Sequence, residues 1–340
     1  MAKTVIAAFN EFLKNSVNLD PEKTKTARNS RDWMVDKIES FPNKEGSSFP
    51  WLYSEKHIHY GSFARRTKIR ELDDIDIMIC LRAEGSSYQE TSEGIVITVP
   101  DSAGRLKKLC DPITNYLTPI NYLNSRKVIN TFVSELKSVS QYGSADISRN
   151  MEAAVLNLVS YAWSFDIVPC FFTKPDLFSR TYYIIPDGHG KWKKTDPRKD
   201  RERVININKK HDGNVLNIIR IMKYWNRRPT MPAMSSYLIE TMIVDYYENC
   251  LGTASSFVDI DIPNVLEYIK NTVFSIVNDP KGIQGNINTL TYEERKKISA
   301  RAEVDRNKAL EARNYENAGN QEASIRKWRE IFGPSFPSYS

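Results

Sequence analysis

The sequence predicts an α+β protein whose first half mixes strands with helices and whose second half is almost wholly helical. Three patterns lead there. Residues 70–81, RELDDIDIMICL, alternate sides as a strand does, with Ile75, Ile77 and Ile79 on one face and Asp74, Asp76 and Met78 on the other. Two apolar runs, MEAAVLNLVS (151–160) and WSFDIVPCFF (163–172), are split by Tyr161-Ala162 and suit an antiparallel strand pair. From about Val204 onward the apolar spacing is helical through NVLNIIRIMKYWNRR, SSYLIETMIVDYYENC, IPNVLEYIKNTVFSIV and QEASIRKWREIFG. The division expected from this is a strand-containing core over 1–188 and a helical lobe over 189–340.

The elements follow in order. Residues 4–16 form a first amphipathic helix, and Asp20-Pro21 opens a long second helix to about Phe41, with proline at the first helical position. FPNKEGSSFPW is a loop, 56–60 a strand into the Gly61-Ser62 turn, and 93–100 a further strand. Ser102 to Leu136 reads as helix interrupted at Pro112 and Pro119, and the basic stretch 191–203 as a surface loop. The charged helix TYEERKKISARAEVDRNKALEARNYEN precedes the last one. Trp192, Trp225 and Trp328 are assigned to packing.

Composition narrows the function classes. With 340 residues, 41% hydrophobic and 26% charged, the chain suits a large core or two lobes. A net charge of +6 suits an anionic ligand such as a nucleotide without requiring one. Asp196, Asp200 and Glu202 largely neutralise the basic stretch, which speaks against stable nucleic-acid binding. Cys80, Cys110, Cys170 and Cys250 form no CxxC pair, so no structural zinc is expected and a reducing cytoplasm is. No apolar run reaches the ~18 residues of a membrane span.

The chemistry lies in the carboxylates. Asp74 and Asp76 project from one strand face roughly 6.6 Å apart at Cα. Burying two acids side by side is costly unless something positive joins them. Hard oxygen donors favour magnesium or manganese. Asp166, in FDIVPCFF, interrupts another apolar run and supplies a third carboxylate. Two cations about 3.5–4 Å apart need three or so shared carboxylates to stabilise the attacking and leaving oxygens of a phosphoryl transfer. Upstream, Gly61 lets a backbone N–H approach a phosphate and Ser62 can donate to the same oxygens. Singly, a D-x-D strand also serves as an ion-pair partner and Gly-Ser as a plain turn; together with Asp166 they fit one mechanism.

These residues resemble the nucleotidyltransferase superfamily built on the DNA polymerase β fold. Its signature is a hydrophobic-Gly-Ser turn followed by [DE]-hydrophobic-[DE]-hydrophobic, here Tyr60-Gly61-Ser62 and Asp74-Ile75-Asp76-Ile77. Within it the chain is similar to the group of oligoadenylate synthetases, cyclic GMP-AMP synthase and bacterial CD-NTases. GSFARRTKI, with Thr67, matches that group's G-S-x-x-x-x-T form, and FDIVP its third-carboxylate strand. IIRIMKYWN resembles the helix whose lysine reaches the donor triphosphate, implying Lys223 with Arg220. MSSYLIE resembles the segment whose serine meets the phosphates and whose tyrosine stacks on the base, implying Ser236 and Tyr237. WREIFGPSFP is similar to the tail of bacterial CD-NTases.

The resemblance implies a polymerase β-type core with a long N-terminal helix, and a helical lobe completing the nucleotide pocket. It implies two Mg2+ (or Mn2+) ions on Asp74, Asp76 and Asp166, and ATP and/or GTP as substrates. The product would be a cyclic di- or trinucleotide for bacterial anti-phage signalling, read by a separate effector, from a monomer or a partner-regulated protein. Rival readings are a linear oligoadenylate synthetase, a terminal nucleotidyltransferase acting on RNA or a small molecule, and an inactive nucleotide-binding regulator.

Overall fold

The computed structural model describes residues 2–113, 120–230 and 232–340, and these divide into two units. One, here the sheet unit, comprises Glu22–Ala64 and Leu72–Arg198; the other, the helical unit, comprises Met1–Pro21, Arg65–Glu71 and Lys199–Ser340. The fold is mixed, with the described strands all in the sheet unit and a long helix near the N-terminus.

In the sheet unit, the strand Asp74–Cys80 is the pivot. It pairs in parallel with Ser164–Phe172, in a register that sets Asp74 opposite Ser164, Asp76 opposite Asp166 and Cys80 opposite Cys170. The short strand Ile58–His59 flanks it antiparallel on the other edge. Ala153–Asn157 pairs antiparallel with the first part of Ser164–Phe172, as the two apolar runs predict. The far end of that strand hands over to Tyr183–Pro186, Trp192–Thr195 and Gly94–Thr98. Ile75, Ile77 and Ile79 are fully buried, as are Met78 and Cys80 beyond the two aspartates. Only the entrance of this strand is polar.

Helices cover the sheet. Ser125–Lys137 buries Val128, Ile129, Phe132 and Leu136, and Asn124 caps it by accepting from the N–H groups of Arg126 and Lys127. Phe49 bridges Phe41 and Phe132 with ring centroids 5.3 and 4.8 Å apart. The long helix Pro21–Ser40 turns Ala27, Met34 and Ile38 inward.

Two expectations are corrected here. Part of the stretch expected to be helical from Ser102 to Leu136 instead forms an antiparallel pair, Cys110–Ile113 with Ile120–Leu123. Pro112 opens no gap because it sits opposite Asn121 in a short two-stranded ladder, where proline is tolerated at an edge. Pro119 lies outside the described residues. The expected basic loop over 191–203 is instead the strand Trp192–Thr195 followed by the helix Pro197–Lys210. Fully buried Trp192, donating from Nε1 to the Leu123 carbonyl at 2.8 Å, anchors the strand despite its lysines. Pro197 then stands at the first helical position.

The helical unit buries its apolar faces in one core, including Ile218, Ile219, Met222 and Trp225 of Val215–Asn226 and Leu238, Met242 and Ile243 of Ser236–Asn249. The first helix, Val5–Phe12, joins this core rather than the sheet unit, so the helical unit is not the continuous 189–340 segment that residue order suggests. The cause is aromatic. Phe9 meets Trp328, Phe332 and Phe336 edge-on at 4.9, 6.0 and 5.0 Å, and Phe12 meets Tyr224 at 4.9 Å. Each such fully buried side chain contributes about 1.5–3 kcal/mol. Trp328 and Phe336 of the tail segment are both completely buried, so its first role is packing. Among the described residues no helix is long and apolar enough to cross a membrane.

Candidate active site

In the sheet unit the parallel register brings Asp76 and Asp166 side by side, with Asp74 two residues earlier on the same strand face. All three are half-buried at the polar entrance of otherwise buried strands. Ser164 fixes the entry of its strand by donating from N–H (2.9 Å) and Oγ (3.2 Å) to the Asp73 carbonyl.

The Gly61 turn lies directly on this entrance. The Tyr60 N–H donates to the Asp76 carbonyl at 3.3 Å. Gly61 has φ +70°, and a Cβ added to it would stand 1.8 Å from Asp76 Oδ2 and 2.6 Å from Asp76 Cγ. Only glycine permits this approach, for its backbone angle and for the missing methyl alike. Beneath it, burial first and then the charges of Asp76 and Asp166 push the Tyr60 phenol well above the ordinary tyrosine range. Tyr60 therefore stays protonated beside the carboxylates.

The donor set suits a hard divalent cation: carboxylate oxygens, with two of the acids on neighbouring strand positions. Among the described residues no group of three or more His, Cys, Asp or Glu side chains is already drawn together as a metal site.

In the helical unit two of the predicted residues, Thr67 and Lys223, meet around an acid that the sequence reading missed, Glu240. Glu240 is 3% exposed; its Oε1 accepts from Arg65 Nε at 2.6 Å and its Oε2 from Thr67 Oγ1 at 2.7 Å. Lys223, equally buried, donates from Nζ to the Thr67 carbonyl at 2.9 Å and lies 3.5 Å from Glu240 Oε2. Burial alone would raise the Glu240 carboxyl, but Arg65 and Lys223 hold it below the usual range. Burial lowers Lys223, with Glu240 opposing and Arg65 and Lys68 reinforcing the shift.

Tyr237 stands beside this cluster. Its hydroxyl lies 2.7 Å from Asp200 Oδ1 and 3.0 Å from Asp279 Oδ1, and Lys281 Nζ lies 4.3 Å from its ring centroid. The Arg65 guanidinium is 5.8 Å from the same ring. Arg220 points its guanidinium at the Leu216 carbonyl and Asn217 Oδ1, both at 3.0 Å, and burial lowers its pKa to about 10. Ser236 is exposed at the start of Ser236–Asn249, where Ser235 rather than Ser236 caps the helix by accepting from the Leu238 N–H.

No family model matches the chain. A probable cyclic nucleotide synthase of Bacillus cereus strain VD146 is 44% identical over 340 residues, covering 100% of this chain and 99% of the relative. The chain belongs to the bacterial CD-NTase family. This CD-NTase is a nucleotidyltransferase of the cyclic oligonucleotide synthase class. A cyclic AMP-AMP-AMP synthase of Acinetobacter sp. matches 46% of the CD-NTase and 47% of its own length at 25% identity. Its fold is shared by two solved structures. CdnC of Escherichia coli MS115-1 with ATP has TM-score 0.68 and 16% identity, over 98% of this chain and 99% of that one. Escherichia coli DncV with 3'-deoxy GTP has TM-score 0.64 and 12% identity, over 96% and 97%.

Glu240 was findable. It interrupts the apolar run Leu238-Ile239-Glu240-Thr241-Met242 of this CD-NTase as Asp166 interrupts its strand, and the same cost argument applies. Asp279 and Lys281 gave no such signal, because they lie in an irregular segment without periodicity.

Proposed function

We propose that this CD-NTase joins nucleoside triphosphates, ATP and/or GTP, into a cyclic di- or trinucleotide second messenger that a separate effector reads in bacterial anti-phage defence. The observation that carries this reading is the placement of Asp76 beside Asp166 with the Gly61 turn pressed on Asp76.

Asp74, Asp76 and Asp166 would hold Mg2+ or Mn2+, probed as two ions. Bound there, such cations neutralise triphosphate charge and stabilise the attacking and leaving oxygens. Gly61 and Ser62 offer backbone and hydroxyl donors to the triphosphate, and Thr67, Arg220, Lys223 and Ser236 are its further proposed contacts. Tyr237 supplies an aromatic ring for the donor base. Asp166 is the proposed acceptor for the proton of the attacking ribose hydroxyl.

ATP as a substrate is supported by relatives named for ATP and for cyclic AMP-AMP-AMP. The test is incubation of the purified protein with labelled NTPs and magnesium, with Asp76→Ala as control. A phosphatase-resistant product identified by mass spectrometry supports the ring. A linear product, or dependence on an added RNA or small-molecule acceptor, defeats it. Equal nucleotide and metal binding by Asp76→Ala, with no turnover by either protein, would point to a regulator.

A further inference from the structure

Glu240 has no place in the chemistry above, yet both of its oxygens are engaged by charged or hydroxyl partners. One oxygen is taken by Arg65, the other by Thr67 with Lys223 nearby. The four residues come from three stretches of chain: Arg65 and Thr67 from Arg65–Glu71, Lys223 from the helix Val215–Asn226, and Glu240 from Ser236–Asn249. A single carboxylate therefore fixes three segments against one another. It does so as a carboxylate facing both the Arg65 guanidinium and the Lys223 ammonium.

We propose that Glu240 is a positioning residue that holds Arg65, Thr67 and Lys223 in the arrangement in which they receive a triphosphate. The inference rests on the nucleotidyltransferase reading and deepens it. Stability alone is a poor reason for such a group, since a buried ion pair is often no better than a well-packed apolar substitute. A carboxylate with both oxygens occupied does what an apolar residue cannot: it sets the direction of a guanidinium, a hydroxyl and an ammonium at once. It also favours the charged form of Lys223, opposing the burial and the Arg65 and Lys68 charges that lower it.

The test is steady-state kinetics and nucleotide binding for the wild type, Glu240→Gln, Lys223→Met and the double variant, from about pH 6.5 to 9. Glu240→Gln should raise the KM for the donor triphosphate roughly tenfold to a hundredfold, the cost of losing charged hydrogen bonds, while kcat changes less. Its KM should climb with pH from a lower pH than in the wild type, as Lys223 loses its proton. Adding Lys223→Met should remove that pH dependence. If Glu240→Gln does not fold, the double variant is compared with Lys223→Met: weaker nucleotide binding than that single variant supports the proposal, and equal binding overturns it. A folded Glu240→Gln with wild-type KM at every pH also overturns it, leaving the nucleotidyltransferase reading intact. A wild type that neither binds nor converts nucleotide overturns both.

Discussion

Gly61→Ala is the sharpest perturbation available, because two separate costs meet at one atom. The first is conformational: at φ +70° an L-residue loses about 1–2 kcal/mol. The second is contact. The new methyl would sit 1.8 Å from Asp76 Oδ2, far inside the ~3.5 Å of a normal carbon contact, so the carboxylate must turn off its rotamer at roughly 0.5–1.5 kcal/mol or the turn must lift. Gly46 supplies an internal control, since its φ is +69° and nothing lies within 4 Å of its missing Cβ. Gly46→Ala carries only the first cost. For a domain of 150–250 residues 1 kcal/mol moves Tm by about 2–4 °C, so Gly46→Ala should lower Tm by about 2–8 °C and Gly61→Ala by a few degrees more. The larger difference is in turnover, measured as cyclic product per minute by mass spectrometry. Gly46→Ala should match the wild type, and Gly61→Ala should lose on the order of a hundredfold, the cost of misplacing a reacting group by about 1 Å. Equal Tm and equal turnover for the two variants would refute the close-approach reasoning.

Asp166→Asn removes a proposed cation ligand and the proposed proton acceptor. It should lower turnover by roughly 10²–10⁴-fold with little change in Tm, and a chelator should silence the wild type reversibly; wild-type turnover by the variant would discard this role. Burial, helped by His59, lowers the pKa of His57 to about 4, and its Nδ1 accepts from the Cys80 N–H at 3.0 Å. The unfolded chain therefore binds a proton that the folded one refuses between about pH 6.5 and 4. Stability should fall by about 3 kcal/mol as pH drops through that window; urea midpoints at pH 7 and 4.5 should show a smaller fall for His57→Gln, and identical falls would count against it. Tyr237→Phe keeps the ring but strips the hydroxyl from Asp200 and Asp279, so it should cost about 1–3 kcal/mol of stability while the donor KM shifts less than tenfold. An unchanged melt would show that this hydroxyl network carries no weight.

In the sheet unit the three acids stood out because each violates its surroundings. Asp74, Asp76 and Asp166 interrupt strands that otherwise read as apolar, whereas the parallel register that sets Asp76 beside Asp166 was not legible, because alternation fixes the face of a strand and not its partner or direction. The helical half was legible only in part. Lys223 and Thr67 do meet, but through Glu240, and nothing in residue spacing discloses a hydrogen bond spanning 173 positions. The errors in the fold have one cause. Cys110–Ile113 and Trp192–Thr195 are short, lysine- or proline-bearing strands held by cross-strand pairing and by Trp192, and such tertiary support overrides local propensity.

The aromatic lock of Phe9 and Phe12 onto Trp328, Phe332 and Phe336 has a bearing on how the molecule is made. A ribosome delivers Val5–Phe12 hundreds of residues before the rings that receive it. The sheet unit, Glu22–Ala64 with Leu72–Arg198, carries every described strand and can begin to fold while translation continues. The opening helix has to wait, its greasy stripe bare, until Gln321–Phe332 leaves the exit tunnel. Holdase chaperones should therefore be found on nascent chains of this protein, and a bulky fusion ahead of Val5 should hurt yield more than one inserted at the Gly46 loop.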